Sequence, residues 1–330
     1  MANTMDPKIQ KEPILQQVLK EIGDANQNAD KVRNESILRN TTLIHQELEE
    51  EDRKLIVYIA RVGLPNSALS ADDIAPFGSM LATLGKGKNL DLMIHSPGGN
   101  GVVAEKIVDM CRQHCSGMFR VIVPNMAKSA ATLIALGADQ IVMGYCSELG
   151  PIDPQKIINV GGVVQQLSAQ SFIEARKNLL QEIQDATKQG VDITGYLQQL
   201  ASSSMDPAFI FECQKEVDFA KDFVRKHIPN RMLKHKYPRL ALQTRTVKAS
   251  SIADNLTSTD QRFIHGRMIG PKECSSIGLN ILELEKDDPY WEKIFELYVR
   301  AEVFMMINSK PEGGAVGKLF MDGHTHLIAF

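Results

Sequence analysis

Between Lys54 and Gly144 the chain alternates short apolar runs with longer stretches in which apolar residues recur every three or four positions. The runs KLIVYIARVG, NLDLMIHSPGG, FRVIVPN and DQIVMG are rich in Val and Ile, as strands buried on both faces of a parallel sheet must be. Helical spacing fills the intervals at about 70 to 85, 101 to 115 and 128 to 137. This alternation predicts repeated βαβ units around a mostly parallel sheet. Helical patterns resume at about 167 to 188 and 207 to 228. GPKECSSIGLNIL then reads as a short helix and strand, and DPYWEKIFELYVRAEVFMM as a helix before a Gly-rich tail. Ahead of the first strand, PILQQVLKEIG and a second helix-like stretch ending in ELEEED form an appendage. The expected organisation is a helical appendage over 1–50, a core over 51–200, and a helical C-terminal extension over 201–330.

Composition narrows the function classes. At 330 residues and 43% hydrophobic the chain can bury a large core, and a formal charge of -3 provides no concentrated basic face for nucleic acid or an anionic membrane. The one basic stretch, RKHIPNRMLKHKYPR, reads as a solvated face. Five cysteines, an odd number, suit a reduced compartment. MANTMDPKIQKEP lacks the apolar run of a signal peptide, and no stretch reaches the roughly 18 apolar residues of a membrane span. A soluble, cytoplasmic protein is expected. Neither GxGxxG nor GxxxxGKS/T is present, so no cofactor is expected. Cys111 and Cys115 share a helix face, and His324 and His326 alternate on an extended segment, but neither pair has the further ligands of a metal site.

Two segments carry candidate chemistry. In HSPGGNGVVAEKIVDM a strand ends in Ser96-Pro97-Gly98-Gly99 and a helix opens just after Gly101. Adjacent glycines let backbone amides approach a ligand oxygen, as an oxyanion hole or a phosphate cradle; a plain tight turn is the other reading. In VIVPNMAKSAATLIALGADQIVMG a strand runs through Pro124 into small residues and a helix starting near Ser129. A serine there is either an ordinary N-cap or a nucleophile, with the Ala130 amide aimed at the same oxyanion. The flanking alanines leave room for a substrate backbone, which a cap does not need.

The runs SPGGNG, MAKSAATLIALGADQIVMG and SELGPIDPQ resemble the ClpP class of serine peptidases, which includes the SppA-like enzymes, and within it the SDH, or serine dehydrogenase proteinase, family. The resemblance is strong over about 54 to 160, weaker over 260 to 283, and absent from the N-terminal helices and the tail. It implies an α/β fold with a ClpP/crotonase-like core of repeated ββα/βαβ units in a spiral, to which N-terminal and C-terminal helices are added. It also implies a peptide or unfolded-protein substrate and a homo-oligomer.

A serine hydroxyl needs a base. ClpP-like enzymes carry the His about two dozen residues after the Ser and the Asp later. Here Asp153 stands 24 residues after Ser129, and His265 lies in FIHGRMIGPKECSSIGL. The resemblance to the SDH family implies the order Ser, Asp, His, matched by Ser129, Asp153 and His265. Triads are defined by geometry and role, so the exchange is chemically sound. Gly98, Gly99 and Ala130 are the candidate oxyanion amides. Asp153 could also be a turn residue beside its prolines, and His265 could bond a backbone carbonyl. The alternative base is Lys177, in the polar run SFIEARKNLL, for a Ser-Lys dyad like that of SppA. Lys128, adjacent to Ser129, reads as a substrate or surface contact. A crotonase-type acyl-CoA enzyme and a catalytically silent scaffold are the readings from other classes.

Overall fold

The computed structural model describes residues 12–24, 39–40, 42–48, 53–64, 66–84, 89–160, 162–202, 207–257, 266–309, 314–323 and 326–329. In chain order, α1 (Ile14–Asp24) precedes β1 (Arg53–Ala60), α2 (Ile74–Leu84), β2 (Asn89–His95), α3 (Gly101–His114), β3 (Phe119–Val123), β4 (Met126–Ala127), α4 (Ala130–Leu136) and β5 (Gln140–Gly144). Then come β6 (Glu148–Leu149), a hairpin of β7 (Gln155–Val160) and β8 (Val163–Ser168), and the helices α5 (Ala169–Lys188), α6 (Thr194–Ser202), α7 (Pro207–His227), α8 (Met232–Lys236) and α9 (Leu242–Thr257). The last elements are α10 (Pro271–Ile277), β9 (Ile281–Leu284), α11 (Pro289–Asn308), β10 (Lys318–Met321) and β11 (His326–Ala329).

Seven strands form the main sheet in the order β11-β10-β1-β2-β3-β5-β9. From β1 to β9 the pairing is parallel, while β10 runs antiparallel on β1 and β11 antiparallel on β10. Successive side chains on a strand point to opposite faces, so the apolar runs supply two cores at once. Ile56, Tyr58, Leu92, Ile94, Val121 and Val123 join the core covered by α2, α3, α4, α7 and α9. Leu55, Val57, Ile59, Met93, Ile122 and Val142 join the other, which α11 covers with Trp291, Ile294 and Phe304. This α/β/α layering with a parallel centre agrees with the α/β, ClpP-like expectation.

Four features differ from the sequence reading or add to it. The tail contributes β10 and β11 to the main sheet, next to the first strand. The basic stretch is only partly a solvated face: Ile228, Met232 and Leu233 are fully buried. A hairpin, β7–β8, stands where no strand pair was expected. Of the N-terminal helices, α1 packs against α11 of the same chain through Val18, Val299 and Val303, with Glu21 ion-paired to Arg300 at 2.7 Å. Among the described residues no helix is long and apolar enough to cross a membrane, and no cluster of three or more His, Cys, Asp or Glu is arranged to hold a metal.

Candidate active site

The site sits at the carboxyl ends of β2 and β3. After His95 the chain turns through Ser96 to Gly99, and Asn100 caps α3 by accepting the Val102 and Val103 amides at 2.9 and 3.2 Å. Gly98 and Gly99 adopt φ of 96° and 144°, backbone that side chains rarely tolerate. The turn is held from both sides. Leu69 donates its amide to Gly98 O at 2.7 Å and accepts the Asn100 amide at 2.9 Å, while Ser96 exchanges bonds with Met126 O and the Lys128 amide at 3.0 Å each.

Those last bonds lay β4 beside the turn, and β4 leads directly to the elbow at Ser129. With φ of 49°, Ser129 is the one non-glycine residue with positive φ among the described residues. Such backbone costs on the order of 1–3 kcal/mol and persists only where surrounding structure over-determines it. Ser129 occupies the cap position of α4, yet its hydroxyl makes no capping bond. The N-cap reading therefore loses its basis. A methyl group at Gly98 would lie 2.5 Å from Lys128 O, 2.8 Å from Ser129 Cβ and 3.1 Å from the Ala130 nitrogen, so turn and elbow are in direct backbone contact. The Gly98 amide donates to Ser96 Oγ at 3.1 Å and is already engaged. The amides of Gly99 and Ala130 have no acceptor among the described residues.

Asp153 follows β6, which pairs in parallel with β4. Thr132 locks the two together from within α4: its hydroxyl donates to Ala127 O at 2.7 Å, lies 3.0 Å from Gly150 O and accepts the Gly150 amide at 3.2 Å. The Asp153 side chain is buried, 4% exposed, and its Oδ2 accepts from Gln155 Nε2 at 2.6 Å. His265 lies outside the described residues. The described chain on either side of 258–265 is bonded to the Asp153 loop: Leu256 O accepts the Ile152 amide at 2.9 Å, and Leu149 and Ile269 exchange amide bonds at 3.0 and 3.1 Å. Lys177 is exposed midway along α5, on a shallow groove with Ile173, Leu180 and Ile210.

His95, at the end of β2, was not singled out from the sequence. Its Nδ1 accepts the Met126 amide at 3.3 Å, its Nε2 lies 3.7 Å from Glu302, and its ring packs on Tyr298 with centroids 5.0 Å apart. Burial pushes its pKa down to about 4, so the ring is neutral with its proton on Nε2. The available signal was a histidine inside an apolar strand, immediately before the SPGG turn.

Fold and elbow together define an α/β protein of the ClpP-like class. Residues 79–239 match the family of ClpP-like SDH-type serine proteinases. Uncharacterized protein MJ0137 of Methanocaldococcus jannaschii is 30% identical over 236 residues, covering 70% of this chain and 68% of the relative. Uncharacterized protein MJ1495 of the same organism is 32% identical over 152 residues, 45% of this chain, and the chain spans about half, 47%, of that relative's length. The chain belongs to the SDH-type serine proteinase family. Among solved structures, a mutant of the 1510-N membrane-bound stomatin-specific protease is 12% identical with a TM-score of 0.38, covering 68% of this chain and 79% of that one. The ClpP protease catalytic domain from Plasmodium falciparum is 11% identical with a TM-score of 0.33, covering 72% and 89%.

Proposed function

We propose that this protein is a serine peptidase that cleaves peptides or unfolded protein through an acyl-enzyme on Ser129. The observation that carries this reading is the elbow: a serine in left-handed backbone, its hydroxyl spared from capping, pressed against a Gly-Gly turn. In the proposed mechanism His265 accepts the Ser129 proton as Oγ attacks the scissile carbonyl, and Asp153 orients the imidazole and stabilises its charged form. The Gly99 and Ala130 amides receive the oxyanion. Gly98 contributes clearance rather than a donor, because its amide is held by Ser96. His265 then protonates the leaving amine, and water releases the acyl group by the reverse sequence. Burial of Asp153 beside a Gln155 donor supports the orienting role, and exposure of Lys177 gives no support to a dyad. The same resemblance supports a homo-oligomer.

The test is hydrolysis of an unstructured fluorogenic peptide by wild type and by Ser129→Ala, Asp153→Ala, His265→Ala and Lys177→Ala. The expected result is loss of at least about 10³-fold in kcat for the Ser129 and His265 variants, a comparable or smaller loss for Asp153→Ala, and wild-type turnover for Lys177→Ala. Loss in Lys177→Ala with His265→Ala unaffected would move the assignment to the dyad.

A further inference from the structure

The side chain next to the nucleophile neither faces solvent nor points at a substrate. Lys128 is 14% exposed, and its Nζ lies 2.7 Å from Glu148 Oε1, 3.3 Å from Leu149 O and 3.2 Å from Arg267 O. An ammonium has three N–H donors, and here each has an acceptor. None is left to contact substrate, and no lone pair is offered to Ser129. The acceptors come from chain segments remote in sequence. Glu148 and Leu149 form β6, which leads into Asp153, and Arg267 is two residues along the chain from His265. Backbone groups of Lys128 reach two more: its amide donates to Ser96 O at 3.0 Å, beside the Gly-Gly turn, and its carbonyl accepts the Ala131 amide at 2.9 Å at the start of α4. Room for the stem is made by Gly150, where a methyl group would lie 2.7 Å from Lys128 Cδ.

We propose that Lys128 is the positioning residue of this active site, a largely buried tripod that ties the Ser129 elbow to the loop bearing Asp153 and to Arg267, two residues along the chain from His265. The assignment rests on the Ser-Asp-His reading above. An apolar side chain of the same length packs beside Gly150 but removes the ammonium that bridges Glu148, Leu149 O and Arg267 O, so the elbow loses its side-chain tie to both arms, while the arms stay joined to each other through the Leu149–Ile269 amide bonds. Misplacement of catalytic groups by about 1 Å costs on the order of a hundredfold in rate, with little effect on groups that only bind.

The experiment measures kcat and KM for peptide hydrolysis, the rate of Ser129 acylation by a fluorophosphonate, and thermal unfolding, for wild type, Ser129→Ala, Lys128→Met and Glu148→Gln. Lys128→Met is expected to lower kcat and the acylation rate by about a hundredfold with KM within twofold. Glu148→Gln keeps an acceptor for Nζ but removes its charge, and is expected to lower both rates about tenfold; it carries the test by itself if Lys128→Met does not fold. Wild-type kcat in either folded variant overturns the proposal, as does a loss confined to thermal stability with turnover per folded molecule unchanged. Failure of the underlying reading looks different: wild type is then not acylated, or Ser129→Ala retains turnover.

Discussion

The elbow at Val123–Leu136 and the hairpin at Gln155–Ser168 both flank the candidate site, and they are built in opposite ways. In the elbow every short segment is tied to another: β4 to Ser96 and β6, Thr132 to Ala127 and Gly150, Lys128 to three acceptors. All residues of α4 are buried. In the hairpin the pairing is regular, yet Ile157 and Val164 are 75% and 69% exposed, and Ile158, with the Lys156–Glu216 ion pair, anchors it to α7 and the helices around it. The difference teaches where strain can be kept. A serine with positive φ survives because its neighbours have no alternative packing, whereas a loosely covered ribbon could not hold one.

That contrast breaks most readily at Gly98. Gly98→Ala places a methyl group 2.5 Å from Lys128 O on backbone with φ of 96°, so it should destabilise the fold by about 3 kcal/mol or more in urea and remove most turnover. A wild-type midpoint would mean that turn and elbow do not touch as described.

The next effect is pH-dependent and comes from the other face of the elbow. His95 has a folded pKa of about 4 against an ordinary 6.5. The unfolded chain therefore binds the proton more readily. The stabilising contribution of neutral His95 is present above pH 6.5 and declines as pH falls toward 4, by on the order of 2 to 3 kcal/mol. Glu302 beside it is shifted upward by burial and works in the opposite sense, so the measurement is the difference in pH slope between wild type and His95→Gln. Equal slopes would contradict the assignment.

The smallest effect is expected on the hairpin. Ile157→Thr, at a largely exposed strand position, should change stability by no more than about 0.5 kcal/mol, checked by the same urea titration.

Much of this architecture could be read before any coordinates. Strands β1, β2, β3 and β5 announce themselves as Val- and Ile-rich runs because both faces of each are buried, and the Ser129 segment stood out because small residues surround a serine at a helix start. What was hidden depends on contacts distant in sequence. Pairing of β10 with β1 joins Lys318 to Ala60, and no local pattern encodes such a partner. Lys128 was read as a substrate or surface contact because its acceptors at 148, 149 and 267 are invisible from its neighbours. The hairpin was missed although its signal was present: a glycine pair flanked by valines, with Gly162 at φ of 85°. Asp153 was a candidate from its spacing to Ser129, while the Gln155 bond and the burial that support its proposed orienting role needed the fold.

The most direct test of the central claim is peptide mapping by mass spectrometry after reaction of the folded wild-type protein with a fluorophosphonate. A single adduct on Ser129, absent from Ser129→Ala and from urea-unfolded protein, is the result this account predicts. An unmodified folded protein, or an adduct on another residue, would contradict it.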